Sequence, residues 1–356
     1  MFSFFSSKSY AAFVLTLLAA VLFGLQLSWG GCGPEARPLW ASLWDSQAQA
    51  QAVFRAVFEG RTAGLVLFCI EIALVVHLYR RHLGAADYLP GILMVIGCSC
   101  LPDLCVPNTA MAAFVLVTLA MDRRLGSLHQ EGETRAAYDI GLFIGLAGLL
   151  YGPASWYILI FWTSMIWTSV SFGRSAAASL LGLLTPAFIM QGLLFVFKDI
   201  PWRDIPHPLR LTGSLPAEAW IWPSWLSILT AAVLIVTALA ALIALWRKIF
   251  TFQNDVRHTW SMMQWTALLS ILLIILLPEH PAALYMGCMP FLTLVIADFF
   301  TGSRTPRRPA RIFAILAAGA VLVAAECLLV RHGLPRLQEY IPQLIEKIPF
   351  DSLPWL

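Results

Sequence analysis

The stretch LSILTAAVLIVTALAALIALW, residues 226–246, runs without a charge and is followed at once by Arg247 and Lys248. As an α-helix it is roughly 31 Å long, which matches the ~30 Å hydrocarbon core of a bilayer. A soluble helix of this length would carry a polar face, and this one has none. The rest of the chain has the same character. Of 356 residues, 59% are hydrophobic and only 12% are charged, with a mean hydropathy of +0.77. Such a chain lacks the polar surface needed to cover a water-soluble fold.

Apolar windows measured against the bilayer place further spans near 10–29, 62–79, 88–101, 107–121, 138–150, 154–172, 176–197, 264–278, 281–299 and 312–330. The expected fold class is therefore all-α, a polytopic transmembrane helical bundle of about eleven spans in one integral domain, 1–356. The windows 88–101, 138–150 and 264–278 are short, so they must be buried among other helices or thin the bilayer locally. The run from Tyr10 to Trp29 is too long for a signal-peptide core and ends in no small-x-small cleavage site, so it reads as a retained first helix.

Orientation follows from the basic residues. With the N-terminus in the cytoplasm, Lys8, Arg80, Arg81, Arg123, Arg124, Arg135, Arg174, Arg247, Lys248, Arg257, Arg304, Arg307, Arg308 and Arg311 fall inside, out of 23 basic residues in all. The outer loops near 102–106, 151–153 and 279–280 contain no Lys or Arg. The expected placement is a bacterial inner membrane, with the N-terminus cytoplasmic and the C-terminus periplasmic. Three outer segments do not span: 30–61, 198–225 and 331–356. Residues 39–59 mix Leu39, Trp40, Leu43, Trp44, Phe54 and Phe58 with Asp45, Gln47, Arg55 and Glu59, the pattern of an amphipathic helix in the headgroup plane. The 198–225 segment is rich in Pro and Trp, which suits an interfacial belt. On the inner side, 123–137 reads as a polar connection and 247–263 as a longer amphipathic one.

A formal net charge of +3, spread over many short loops, gives no nucleic-acid surface. The seven Cys lack the spacing of a zinc site, and no metal or cofactor is expected. Cys32 and Cys105 share the outer side, which permits one bridge. The phosphate-loop, zinc-protease, nucleophile-elbow and dinucleotide motifs are absent. No repeat recurs, and no inverted pair of broken helices marks a secondary transporter.

Charges inside a bilayer cost several kcal/mol unless paired or hydrated. Glu71 is the most expensive, mid-span, with His77 near the cytoplasmic end of the same window. It reads either as a proton or substrate relay or as a partner in a structural interhelical hydrogen bond. Asp139, Asp298 and Glu326 lie near span ends, where they can snorkel. The outer face gathers Glu35, Arg37, Asp103, Lys198, Asp199, Arg203, Asp204, His207 and Arg210. Carboxylates and cations at a membrane surface can deprotonate a hydroxyl and hold a lipid phosphate, or they can be ordinary solvated loop charges.

Two resemblances add to this. The run from Pro107 through Asp122-Arg123-Arg124-Leu125, Tyr138-Asp139-Ile140-Gly141 to Tyr151, Trp156–Trp167, Phe172-Gly173-Arg174 and Leu181–Pro186 resembles a family of polytopic inner-membrane proteins in Bacteroidetes, known only as a domain of unknown function. It supplies no activity to carry over. Leu78-Tyr79-Arg80-Arg81, Leu101-Pro102-Asp103-Leu104 and the short pair 138–150 and 154–172, broken at Gly152-Pro153, are similar in order to the GT-C membrane glycosyltransferases. That likeness implies transfer of a sugar from a polyprenyl-phosphate carrier, with Glu35 or Asp103 as base. Arg37, Arg203, His207 and Arg210 would then bind the donor, the guanidiniums gripping its phosphate. Two further classes stay open: a non-catalytic membrane subunit that docks an envelope protein partner, and a lipid or solute transporter with Glu71 in a relay.

Overall fold

The computed structural model describes residues 16, 61–83, 87–99, 108–128, 133–168, 172–198, 225–276, 281–301 and 307–331. Among them are the helices α1 (Arg61–His82), α2 (Leu89–Ser99), α3 (Asn108–Gly126), α4 (Glu133–Leu150), α5 (Ile158–Thr168), α6 (Phe172–Lys198), α7 (Trp225–Ile249), α8 (Asn254–Leu276), α9 (Pro281–Thr301) and α10 (Arg307–Arg331). No strand occurs among the described residues. Among the described residues, four helical stretches are long and apolar enough to cross a membrane: Phe172–Met190, Ile228–Ile249, Val256–Leu276 and Leu284–Thr301. Leu89–Cys98 and Pro309–Val323 are apolar but shorter.

Helices occupy every apolar window from 62–79 onward, with three differences of extent. The window 154–172 does not begin as an α-helix. A buried 3-10 turn, Gly152–Tyr157, comes first, with Pro153 at its start, and α5 follows. Proline has no N–H to give and a fixed φ, so it serves as the corner between α4 and α5. The expected 247–263 connection is mostly helix. α7 ends at Ile249 and α8 begins at Asn254, with the turn closed by Thr251 N–H donating to Lys248 O at 2.9 Å. The 123–137 connection likewise shrinks, because α3 runs to Gly126 and α4 starts at Glu133. In both places polar first or last turns extend a helix beyond its apolar stretch.

Side-chain contacts fix the direction of successive helices. The C-terminal ends of α1 and α3 meet, with Arg81 Nη1 3.4 Å from Asp122 Oδ2. The N-terminal end of α4 joins them, with Arg123 Nη2 2.9 Å from Asp139 Oδ2. The C-terminal end of α5 reaches the same level through Arg124 and Ser164. So do the C-terminal ends of α7 and α9, linked by Lys248 and Asp298, and Tyr79 of α1 touches Thr301 of α9. The helices therefore alternate, and one end of the bundle collects Arg80, Arg81, Arg123, Arg124, Arg135, Arg174, Arg247, Lys248 and Arg257. We call this the charged end.

Two packing features hold the bundle. α9 is its hub and packs against α1, α2, α3, α7 and α8. α4 and α6 run parallel in the closest pairing among the described helices. There Gly141 and Gly145 of α4 lie against Ser179 and Leu183 of α6, and Gly182 of α6 lies against Tyr138 of α4. A Cβ on any of the three would overlap a backbone oxygen across the pair. Small residues four apart let helix backbones touch in this way, which is how helices bind one another where no hydrophobic drive exists between them. Thr16, the one residue described ahead of Arg61, is helical and buried. A Cβ on Gly91 of α2 would come within 2.9 Å of its methyl. Outward, α6, α7, α8 and α10 expose Leu181, Phe188, Val236, Ile243, Ile275 and Val321. An apolar surface this extensive suits lipid rather than water.

Candidate functional site

Two polar sites lie on the seam between α1 and α3. The first is mid-bundle. Glu71 is 2% exposed, between turns of α1 that bury Phe68, Ile72 and Val75. Thr118 of α3 donates its hydroxyl to Glu71 Oε1 at 2.8 Å and lies 2.9 Å from the Phe114 carbonyl one turn back. Glu71 Oε2 has no hydrogen-bond partner among the described residues. A buried carboxyl with one satisfied and one open oxygen is costly, because a lone buried polar atom forfeits its hydration. Glutamine would serve a purely structural bond at lower cost.

The second site is one turn further along α3, at the charged end. Asp122 Oδ1 is 2.9 Å from His82 Nε2 and 3.8 Å from His77 Nε2. Its Oδ2 is 3.4 Å from Arg81 Nη1. The hydrogen bond from His82 holds the Asp122 carboxyl below the usual carboxylate range, aided by the charges of Arg81 and the two histidines and opposed by partial burial. Thr118 and Asp122 are about 6 Å apart along the axis of α3, so the two sites form successive rungs of one seam. His77 is six residues from Glu71, about 120° round the helix. Even so, both side chains reach α3.

A third node fastens α3 to α4 and α5. The Arg124 side chain is 1% exposed, and its Nη1 lies 3.5 Å from Glu133 Oε1. Its Nε donates to Ser164 Oγ at 3.1 Å, and Nη2 donates to the Ser164 carbonyl at 3.3 Å and to the Thr168 hydroxyl. Burial pulls its pKa down, and Glu133 opposes the shift. Sequence reasoning placed Arg124 among the loop charges and passed over Thr118. The signal was phase. Arg124 is three, seven and ten residues from the buried Met121, Val117 and Phe114, whereas Arg123 falls on the outer stripe and pairs with Asp139.

Away from the seam, several polar groups close on one another, although the buried Trp156 Nε1 makes no hydrogen bond among the described residues. Tyr157 and Ser270 hydroxyls meet at 2.5 Å, and Tyr285 donates to the Gly97 carbonyl at 2.8 Å. Asp298 pairs with Lys248 at 3.1 Å. Cys69 and Cys288 are free thiols, and Cys98 and Cys288 are buried among apolar neighbours. Among the described residues no group of His, Cys, Asp and Glu could hold a metal.

Glu35, Arg37, Asp103, Arg203, His207 and Arg210, together with the expected outer helices of 30–61, 198–225 and 331–356, lie outside the described residues, save for Arg61, Lys198, Trp225 and Arg331 at helix ends. The helix ends bordering the segments 100–107 and 199–224 are described. They are the C-terminal ends of α2 and α6 and the N-terminal ends of α3 and α7, and all four are at the end of the bundle opposite the charged one. Comparison with family models, with curated proteins and with solved structures finds no match.

Proposed function

We propose that the chain is a multi-pass protein of a bacterial inner membrane, threaded through eleven spans with its charged end in the cytoplasm and its C-terminus in the periplasm. At the periplasmic face it acts as a GT-C-like transferase on a sugar carried by polyprenyl phosphate. The observation that carries this reading is the two-ended bundle. Basic side chains crowd one end, as the positive-inside rule demands of a cytoplasmic face, and the helices bordering the Asp103 and Arg203–Arg210 segments end at the other. The chemistry draws on the residue types there. Asp103 or Glu35 would accept a proton from the acceptor hydroxyl. Arg37, Arg203 and Arg210 would hold the donor phosphate in the forked geometry that guanidinium offers, with His207 beside them.

The test pairs topology with activity. A membrane-impermeant thiol reagent applied to right-side-out vesicles should label a cysteine placed at position 103 and spare one at position 135. A deletion strain complemented with Glu35→Ala or Asp103→Ala at normal membrane abundance should lose a glycan from its envelope, read by mass spectrometry. Unchanged glycans with both variants would remove the transferase reading in favour of a non-catalytic envelope subunit.

A further inference from the structure

We infer that Glu71 is an internal proton-binding site, loaded and emptied from the charged end along the α1–α3 seam through His82, His77 and Asp122. The inference needs only the membrane bundle and is independent of the transferase reading.

Three observations carry it. The Glu71 side chain is wholly enclosed, yet only Oε1 is bonded, to Thr118, while Oε2 has no partner among the described residues. An oxygen of this kind can carry a hydrogen without breaking any bond present in the structure. Next, polar groups continue the seam toward the charged end. Along α3 the step from Thr118 to Asp122 is about one turn, ~6 Å, and at Asp122 two imidazoles converge, at 2.9 Å and 3.8 Å. Last, the seam opens to solvent where it should, because the His77 side chain is 53% exposed and that of His82 is 10% exposed. Imidazole is the side chain suited to passing protons near neutral pH.

The surroundings leave a proton as the natural occupant. A sodium ion needs several oxygens around it, and among the described residues the oxygens shown here are the Glu71 carboxyl and the Thr118 hydroxyl, with apolar Phe68, Ile72 and Val75 on neighbouring turns of α1. On the elements packed on α1, the charged groups and Tyr88 lie at the charged end rather than at Glu71, while Cys98 of α2 and Tyr285 and Cys288 of α9 lie nearer the opposite end, Tyr285 donating to the Gly97 carbonyl at 2.8 Å. α3 brings Asp122, α2 brings Tyr88, bonded to Arg80 at 3.0 Å, and α9 brings Asp298, paired with Lys248. On α1 itself Tyr79 points to Thr301 of α9.

The transfer balances. The Glu71 O–H bond breaks, and the proton ends on a ring nitrogen of His82 or His77, one turn further along the seam. Glu71 becomes a carboxylate and the imidazole an imidazolium, so the charge of the seam is unchanged. The Asp122 carboxylate offsets the new positive charge, and the imidazolium releases its proton to water at the exposed His77.

Infrared spectroscopy of the purified full-length chain in lipid nanodiscs, after a pH jump between 6 and 9, reads this directly. The expected result is a protonated-carboxyl stretch that gains and loses intensity with pH. Glu71→Gln, which keeps the size and the acceptor for Thr118, should abolish that band. Substituting both histidines with Gln should slow its appearance many-fold while leaving its final amplitude intact, an effect that a purely structural hydrogen bond would not produce. A Glu71 band that ignores the pH jump overturns the inference, and so does one whose rate is indifferent to the histidine pair. Should Glu71→Gln fail to fold, Thr118→Val provides the assignment, since loss of the donor must shift the same band. An unshifted band there also overturns the inference.

Discussion

Replacing Arg124 with Met should destabilise the bundle by about 3 kcal/mol, and the structure shows why the figure is neither 1 nor 10. The guanidinium is buried and makes one ion pair and three hydrogen bonds, to Glu133, Ser164 and Thr168. Bonds to a charged group contribute about 1.5–3 kcal/mol each in isolation, but groups acting as one node are not additive. Breaking a buried ion pair by deleting one partner costs about 3–5 kcal/mol. The lower end applies here, because Glu133 is 23% exposed and water takes over part of its solvation, while the Ser164 hydroxyl keeps a contact with Met262 Sδ at 3.1 Å. Glu133→Gln should cost only about 1 kcal/mol, since the arginine retains its bonds to α5. Arg124→Lys should fall between the two, because ammonium cannot reproduce the fork. Reversible unfolding of the full chain in detergent micelles, followed by the helical circular-dichroism signal, gives the order. An Arg124→Met variant no less stable than Glu133→Gln would refute the argument that this node fastens α3 to α5.

Gly141→Val should cost about 3 kcal/mol or prevent assembly of the α4–α6 pair, because the added carbons meet Ser179 backbone rather than a flexible side chain. Gly173→Ala, which meets nothing within 4 Å, should change thermal stability by no more than about 1 kcal/mol, and in the stabilising direction. Acid should loosen the tie between α1 and α3. The Asp122 carboxyl is held below its ordinary value, so its contribution is fully present above the unfolded carboxylate pKa of about 3.9 and is lost as pH falls through the lower folded value. Asp122→Asn should cost about 1 kcal/mol at neutral pH and flatten that limb of the stability-versus-pH curve measured by thermal unfolding.

Among the described residues, hydropathy alone located the helices well and their ends poorly, for one physical reason. The bilayer window registers only the stretch whose surroundings are apolar. A helix continues as long as its backbone bonds can be made. α8 starts ten residues before its expected span, because Asp255, Arg257 and His258 can form helical turns at the charged end without appearing in any apolar average. The 3-10 corner at Gly152–Tyr157 shows the converse. Its composition is apolar enough to read as span, yet Pro153 denies the backbone a continuous ladder.

Side-chain partners were less legible than helices, and the α1–α3 seam shows where legibility stops. Glu71 announces itself in the sequence by cost alone, since any carboxyl in the middle of an apolar run demands an explanation. Its partner does not. Thr118 is one hydroxyl residue within an apolar helix, and nothing in the order of residues says that α3 rather than α2 or α9 turns that face toward α1. The choice is made by packing. α9 occupies the centre of the bundle, and Gly91 lets Thr16 close upon α2. α1 and α3, two descending helices separated by α2 in sequence, are left to meet along their length. Once they run in the same direction, residues at matching heights pair automatically. Position 71 faces 118, and positions 77, 81 and 82 gather round 122. A parallel pair of this kind carries its polar groups in register over several turns, whereas an antiparallel pair would have set Glu71 against the opposite end of its neighbour. The seam is therefore a product of the two-residue-type alternation between apolar span and charged turn, repeated until two helices of like direction come side by side.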